Sequence, residues 1–212
     1  MAGSYDFEEQ ERLAELKAWW EDNRFYVFGL VAVAVLALVG WEGWKIYSAR
    51  QAEDAATMHR PVELAAKAKD GKRLADAGKA LIDKHPRSFY ASETALLLAK
   101  NAFEAGNLAE ARKQLEWVVD KGVEELRGVA RVRLAGVLLE EKKFEEALKV
   151  LDGNKDEAFV AAAADMRGDV MLAQGRLDEA RANYKLAIEK SDARNPLKGI
   201  AETKLNALGG GQ

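Results

Sequence analysis

His59 and His85 are the two side chains of this 212-residue chain best suited to proton or metal chemistry near neutral pH. Neither has a second histidine at metal-ligand spacing. His85 stands in Lys84-His85-Pro86 and His59 beside Arg60 and Pro61, contexts in which a following proline ends a helix, so structural roles are expected for both. Carboxylates are abundant, but pairs such as Glu124 with Glu125 and Glu145 with Glu146 read as helix starts and solvated faces. Without a buried cleft they have no means of shifting a pKa far enough for general acid–base work. The chain contains no cysteine, which excludes disulfides, thiolate nucleophiles and cysteine-based metal sites. No nucleophile elbow, Walker loop, H-E-x-x-H or G-x-G-x-x-G run is present. The expectation is a protein that is not an enzyme, with no catalytic residues, no metal, no cofactor and no small-molecule substrate.

The chemistry must then be recognition, and the elements that could position it come in two kinds. The first is an uncharged apolar stretch from Phe25 to Trp41, FYVFGLVAVAVLALVGW, interrupted only by Glu42 before Gly43 and Trp44. At about 1.5 Å per residue, roughly 20 such residues cover the ~30 Å of bilayer hydrocarbon. Trp19, Trp20, Phe25 and Tyr26 gather at one end, and Trp41, Trp44 and Tyr47 at the other, as rings that favour the headgroup zone do. A membrane span over residues 25–44 is expected, with the lipid bilayer as one partner. The preceding residues 1–24 carry seven acids against Arg12, Lys17 and Arg24, and bulky tryptophans stand where a signal peptidase needs small residues. The segment therefore reads as a retained signal anchor. Lys45, Arg50 and Arg60 on the far side balance the three basic residues of the arm, so charge alone assigns no orientation. Within the arm, Leu13, Leu16 and Trp20 fall on one helical face, suited to a protein partner or the membrane surface.

The second kind is charged, alanine-rich helical text over residues 45–208. Residues 51–212 contain 27 Lys plus Arg and 27 Asp plus Glu, a balance that lacks the basic excess nucleic-acid binding needs, so no nucleic-acid partner is expected. Three segments align on Ala111, Ala147 and Ala180, spaced 36 and 33 residues, close to the ~34-residue period of helix–turn–helix repeats. Twelve residues before each stands another small residue, Ala99, Ala135 and Gly168, and the two small positions are where the paired helices would cross closely. Gly106 and Gly175 fall in the intervening turns, with Lys142 in the middle one. Leu98 and Leu134 fill an apolar position for which the third unit has Arg167, a charge expected to pair with Asp178 or Glu202.

A degenerate first unit is read over residues 58–91, with Ala65, Ala77 and Leu81 in the matching places, and the membrane helix is expected to run into it as far as Pro61. A last helix over residues 196–208, with Ile200, Leu205 and Leu208 on one face, would cap the stack, and residues 209–212 form a tail expected to be disordered. The fold class is all-α: one N-terminal transmembrane helix followed by an α-solenoid of three to four helix pairs.

In such a solenoid the first helix of each pair lines the concave side. Those positions are Leu96, Lys100 and Phe103 in the first aligned unit, Val132, Gly136 and Leu139 in the second, and Asp165, Asp169 and Leu172 in the third. This lining suits an amphipathic or unfolded polypeptide segment. Equally, Leu96, Phe103, Val132 and Leu139 at helical spacing would serve as core against neighbouring helices.

The ordered combination is similar to the ancillary SecYEG translocon subunit family. It comprises an acidic arm beginning near Tyr5, a membrane exit through Gly40, Trp41 and Trp44, and degenerate tetratricopeptide-type repeats. It continues with the stretch Asp165, Met166, Arg167, Gly168, Asp169 and ends in Lys204, Leu205, Asn206 and Leu208. The resemblance implies a single-pass type II protein of the bacterial inner membrane, with a cytoplasmic N-terminus and a periplasmic repeat domain. As partners it implies the SecYEG translocon, translocated polypeptides and the periplasmic chaperones to which they pass. It also implies a negative effect on the Rcs envelope-stress response regulator. The rival reading is a structural or regulatory scaffold that coordinates an envelope or cell-division complex without binding clients.

Overall fold

The computed structural model describes residues 3–154 and 156–209, with side chains from Glu9 onward. The expected disorder at residues 210–212 lies outside the described residues, while Gly209 closes the last helix with φ +70°. The chain divides into two units, Met1–Gln51 and Ala52–Gln212.

Helix α1, Gly3–Lys67, supplies all of the described part of the first unit. It contains the one stretch among the described residues that is long and apolar enough to cross a bilayer, and none of that window is buried. Apolar side chains point to every side of it, so no single stripe is available for packing on a protein core.

In the second unit the rest of α1 is followed by α2, Gly71–Lys84; α3, Phe89–Glu104; α4, Leu108–Lys121; α5, Glu124–Glu140; and α6, Phe144–Asp152. A short 3-10 turn at Glu157–Phe159 leads into α7, Val160–Ala173; α8, Leu177–Lys190; and α9, Pro196–Ala207. The described residues form no strand. The helices pair in chain order, α1 with α2 through α7 with α8, and α9 packs on α8 and α7.

The same turn joins all four pairs. Lys69, Gly106, Lys142 and Gly175 have φ of 53°, 75°, 59° and 75°, the left-handed conformation that ends a helix. In each turn that residue's N–H and the next one reach back to carbonyls of the closing helix. The bonds at Gly106 are to Phe103 at 2.9 Å and from Asn107 to Ala102 at 2.8 Å; those at Lys142 are to Leu139 at 2.9 Å and from Lys143 to Leu138 at 2.8 Å. The residue that follows begins the second helix. Asp70 and Asn107 cap it with their side chains, accepting from Arg73 N–H and Glu110 N–H, which satisfies one of the orphan donors of the first turn.

Measured from these turns, the small pairs Ala99/Ala111, Ala135/Ala147 and Gly168/Ala180 are buried at equivalent places, seven residues before and five after the left-handed residue. At Gly168 the crossing leaves no room for a side chain: a Cβ there would lie 2.3 Å from the Tyr184 ring. Leu115, Leu151 and Tyr184 occupy the next inward position of the second helices and are fully buried. Each such large apolar side chain contributes about 1.5–3 kcal/mol of burial.

The first pair departs from the expected register. Its turn residue Lys69 places Val62 and Leu74, not Ala65 and Ala77, at the crossing, a shift of three residues. The small residue moves one turn on, to Gly78, where a Cβ would sit 3.0 Å from Leu98 and Thr94 of α3. Small and large have exchanged places, which preserves volume while hiding the repeat from a search for alanines. Helix α1 also continues past Pro61 to Lys67, further than expected. Proline inside a helix costs about 3 kcal/mol, and full burial of Val62 against Leu74 and Leu81 offsets it.

At the other end the buried face of α9 is formed by Ala201 and Leu205, with Leu208 half-buried. Ile200 is exposed, because the helix is rotated to bring Lys204 over α7.

A candidate partner groove on the first helices of the repeats

Helices α3, α5 and α7 are the first helices of their pairs, and their exposed faces border a cavity of about 490 Å³. Lys100 and Phe103 of α3, Gly136 and Leu139 of α5 and Asp169 of α7 line it. Arg133, Glu140 and Met166, which the repeat spacing does not mark, also line it, as do the buried Ala99, Leu115 and Val137. Arg133 and Met166 lie three residues before Gly136 and Asp169, one helical turn back on the same face, so extending the period by a turn would have found them.

The remaining candidate positions lie elsewhere. Leu96 is buried in the core between α3, α4 and α5, and Val132 packs against that core half-buried. Leu172 is exposed at the end of α7, outside the cavity lining. Asp165 is buried. Its Oδ2 accepts from Lys204 Nζ at 2.8 Å, and the same ammonium donates to Asp169 Oδ2 at 2.7 Å. Tyr184 donates its hydroxyl to Asp169 Oδ1 at 2.9 Å. Asp165 Oδ1 has no hydrogen-bond partner among the described residues.

The electrostatics follow from this packing. Burial raises the Asp165 carboxyl above the ordinary range despite the ammonium beside it. Burial also works against the Lys204 charge, but hydrogen bonds to Asp165 and Asp169 outweigh it and raise its pKa. The Tyr184 phenol is raised by burial and further by Asp169. The network thus holds α9 on α7 and occupies the third unit's acidic positions with the chain's own amine.

Arg167 pairs with Asp152 at the end of α6 instead of with Asp178 or Glu202. Asp178 is taken by Arg181 at 2.6 Å, one turn along its own helix. His85 ties α2 to α1 within the first pair, and His59 ties α1 to α3 of the next. His85 is the C-cap of α2 and its Nε2 lies 2.8 Å from Asp54 Oδ2, which Lys84 also reaches at 2.6 Å. These two contacts hold the Asp54 carboxyl below its ordinary pKa. His59 is buried against the Tyr90 ring with Nε2 3.5 Å from Glu93. Among the described residues no three His, Cys, Asp or Glu side chains gather as a metal ligand set. Phe25, Tyr26, Trp41 and Trp44 are all exposed on α1.

Four helix pairs with one shared turn geometry, a capping helix and a cavity bordered by the first helices define a tetratricopeptide-type repeat protein preceded by a membrane-competent helix. A family profile described as "Tetratricopeptide repeat-like domain" matches residues 17–210. The chain is 32% identical to the "Ancillary SecYEG translocon subunit" of Neisseria gonorrhoeae, over 95% of this chain and 97% of that protein. It is 27% identical to the protein of the same name from Escherichia coli K12, over 94% of this chain and 96% of that one. For the Aggregatibacter actinomycetemcomitans protein, also so named, the identity is 26% over 97% and 100%. The chain belongs to the ancillary SecYEG translocon subunit family.

Proposed function

We propose that this chain is a single-pass inner-membrane protein whose repeat domain acts as a non-enzymatic protein-binding scaffold at the SecYEG translocon. Residues 1–24 form a cytoplasmic arm, 25–44 the span and 45–208 the periplasmic domain, a type II arrangement. The groove over α3, α5 and α7 receives segments of translocated polypeptides and releases them toward periplasmic chaperones, and the same domain restrains an envelope-stress response regulator. Support for the translocon comes from the relatives' shared name. Support for binding comes from one observation: the open cavity of about 490 Å³ combines exposed Phe103 with Leu139, Gly136 and Met166. Apolar side chains left in water at such a place favour an apolar occupant.

Crosslinking in intact membranes tests this, with photoreactive residues at Phe103, Leu139 and Trp20 of the full chain. Secretory chains are expected at the first two positions and translocon subunits at one or more of the three. Capture of envelope-assembly proteins alone, or of background alone, would replace client handover with the scaffold reading. That second reading is favoured by one contact, the Lys204 amine on Asp165 and Asp169, since the chain itself occupies the third unit of the concave side.

A further inference from the structure

The second helices of the pairs border a groove of their own, and its charges do not cancel. Helices α4 and α6, from neighbouring pairs, each pack on α5, and a cavity of about 290 Å³ opens between them. Its floor is apolar, formed by buried Leu134 and Leu138 of α5 with half-buried Val119 of α4 and Val150 of α6. Its rim holds Glu116 and Asp120 of α4 and Glu146 and Lys149 of α6. All of these rim side chains are exposed, and none makes an ion pair or side-chain hydrogen bond among the described residues. The rim therefore carries three uncommitted acids against one base. Lys113, one turn before Glu116, faces Glu110 at 3.8 Å instead. Glu116 and Asp120 stand four residues apart on one helix, where like charges repel, and a cation seated between them relieves that repulsion. The cavity over α3, α5 and α7 has no such bias, since the exposed Arg133 and Glu140 of its α5 wall offset each other.

We propose that this second groove docks a cationic segment of a partner protein, one in which a lysine or arginine adjoins aliphatic side chains. The cation seats among Glu116, Asp120 and Glu146, and the aliphatic groups cover Leu134, Val119 and Val150. Partial exclusion of water by the apolar floor strengthens such pairs relative to those on an open surface. A segment with an acid at the same place would meet the three carboxylates and gain only Lys149. The site is separate from the client groove proposed above, because α3 and α7 contribute nothing to its lining.

The test uses the full chain in detergent and two fluorescent peptides with the same leucine- and alanine-rich core. One peptide has two lysines at one end and the other two glutamates, and binding is read by anisotropy. The lysine peptide is expected to bind about fivefold tighter at low salt, as two pairs of the surface type allow, with the advantage shrinking as salt is added. The chain's formal net charge of −3 favours the same peptide, so the decisive comparison is between two variants of equal charge. Glu116→Lys/Glu146→Lys alters the rim, whereas Asp192→Lys/Glu202→Lys makes the same change between α8 and α9 and on α9. All of these side chains are exposed, so both variants keep the melting temperature of the unaltered protein. The rim variant is expected to lose the lysine preference and the distant variant to retain it. Lys149→Gln, which removes the opposing charge, is expected to tighten lysine-peptide binding about twofold. A lysine preference that survives the rim variant, or that both double variants lose alike, would overturn the proposal, as would equal binding of the two peptides by the unaltered protein.

Discussion

Leu30 and Leu36 in the first unit are 73% and 71% exposed, whereas Leu115 and Leu151 in the repeat unit are 2% and 1% exposed, although all four are leucines in α-helices. The first unit surrounds its axis with apolar groups and has no partner face, so an apolar solvent must supply what a core would. The repeat unit confines its apolar groups to stripes and keeps alanine or glycine where helices cross, so neighbouring helices supply the solvent for one another. Helix formation is common to both; the medium that stabilises each is not.

The comparison breaks if damage in one region is felt in the other. Leu151→Ala removes a fully buried side chain between paired helices and should lower stability by about 2–5 kcal/mol. Its melting temperature falls, while the fraction of protein retained in alkali-washed membranes stays the same. Leu36→Arg is the converse. A guanidinium near the centre of the apolar stretch disfavours insertion by about 2.5–3.5 kcal/mol, so membrane retention drops while melting of the repeats is unaltered. If either variant moves both readouts together, the two regions do not stabilise independently.

Gly168→Ala sharpens the picture within the repeats. Its Cβ would meet the Tyr184 ring at 2.3 Å, and the expected loss is about 1–3 kcal/mol. An unchanged melting temperature would show that the α7–α8 crossing relaxes freely. The cap carries a pH dependence of its own. Folding raises the pKa of both Lys204 and Tyr184, so the native state keeps protons that the unfolded chain releases first. The stability they contribute is complete below about pH 10 and declines as pH rises through the raised values. Thermal melts should therefore weaken above about pH 10, and the double variant Lys204→Met/Tyr184→Phe should flatten that decline.

The smallest effect is expected at Lys142. Its φ of 59° is one that glycine adopts without strain, so Lys142→Gly should stabilise by about 1 kcal/mol, to be read as a rise in melting temperature. The same substitution at an ordinary helical site would destabilise.

Much of this organisation was legible because it rests on local chemistry. The span follows from a run of uncharged residues, and the repeat period from alanines that recur wherever two helices cross. The first pair was harder to read. Val62 and Leu74 stand where the other pairs have alanine or glycine, and Gly78 carries the small volume one turn later, a trade that leaves packing intact and the pattern altered. Arg167 escapes a local reading for a related reason: its partner Asp152 sits on the preceding pair, fifteen residues away, where sequence proximity offers no guide.

What the sequence determined by itself is therefore what depends on a residue and its near neighbours: helix content, the apolar stretch, the turn glycines and the absence of cysteine chemistry. The tertiary structure decided which side chains share a site. Leu96 went to the core while Phe103, two turns on along the same helix, stayed at the cavity. Lys204 from the last helix closed on Asp165 and Asp169, so among the described residues the groove's acids on α7 are engaged from within the chain while Arg133 and Glu140 of α5 are not. Those outcomes depend on how helices rotate against one another, and rotation is set by the summed packing of many side chains distant in sequence, not by the identity of any one.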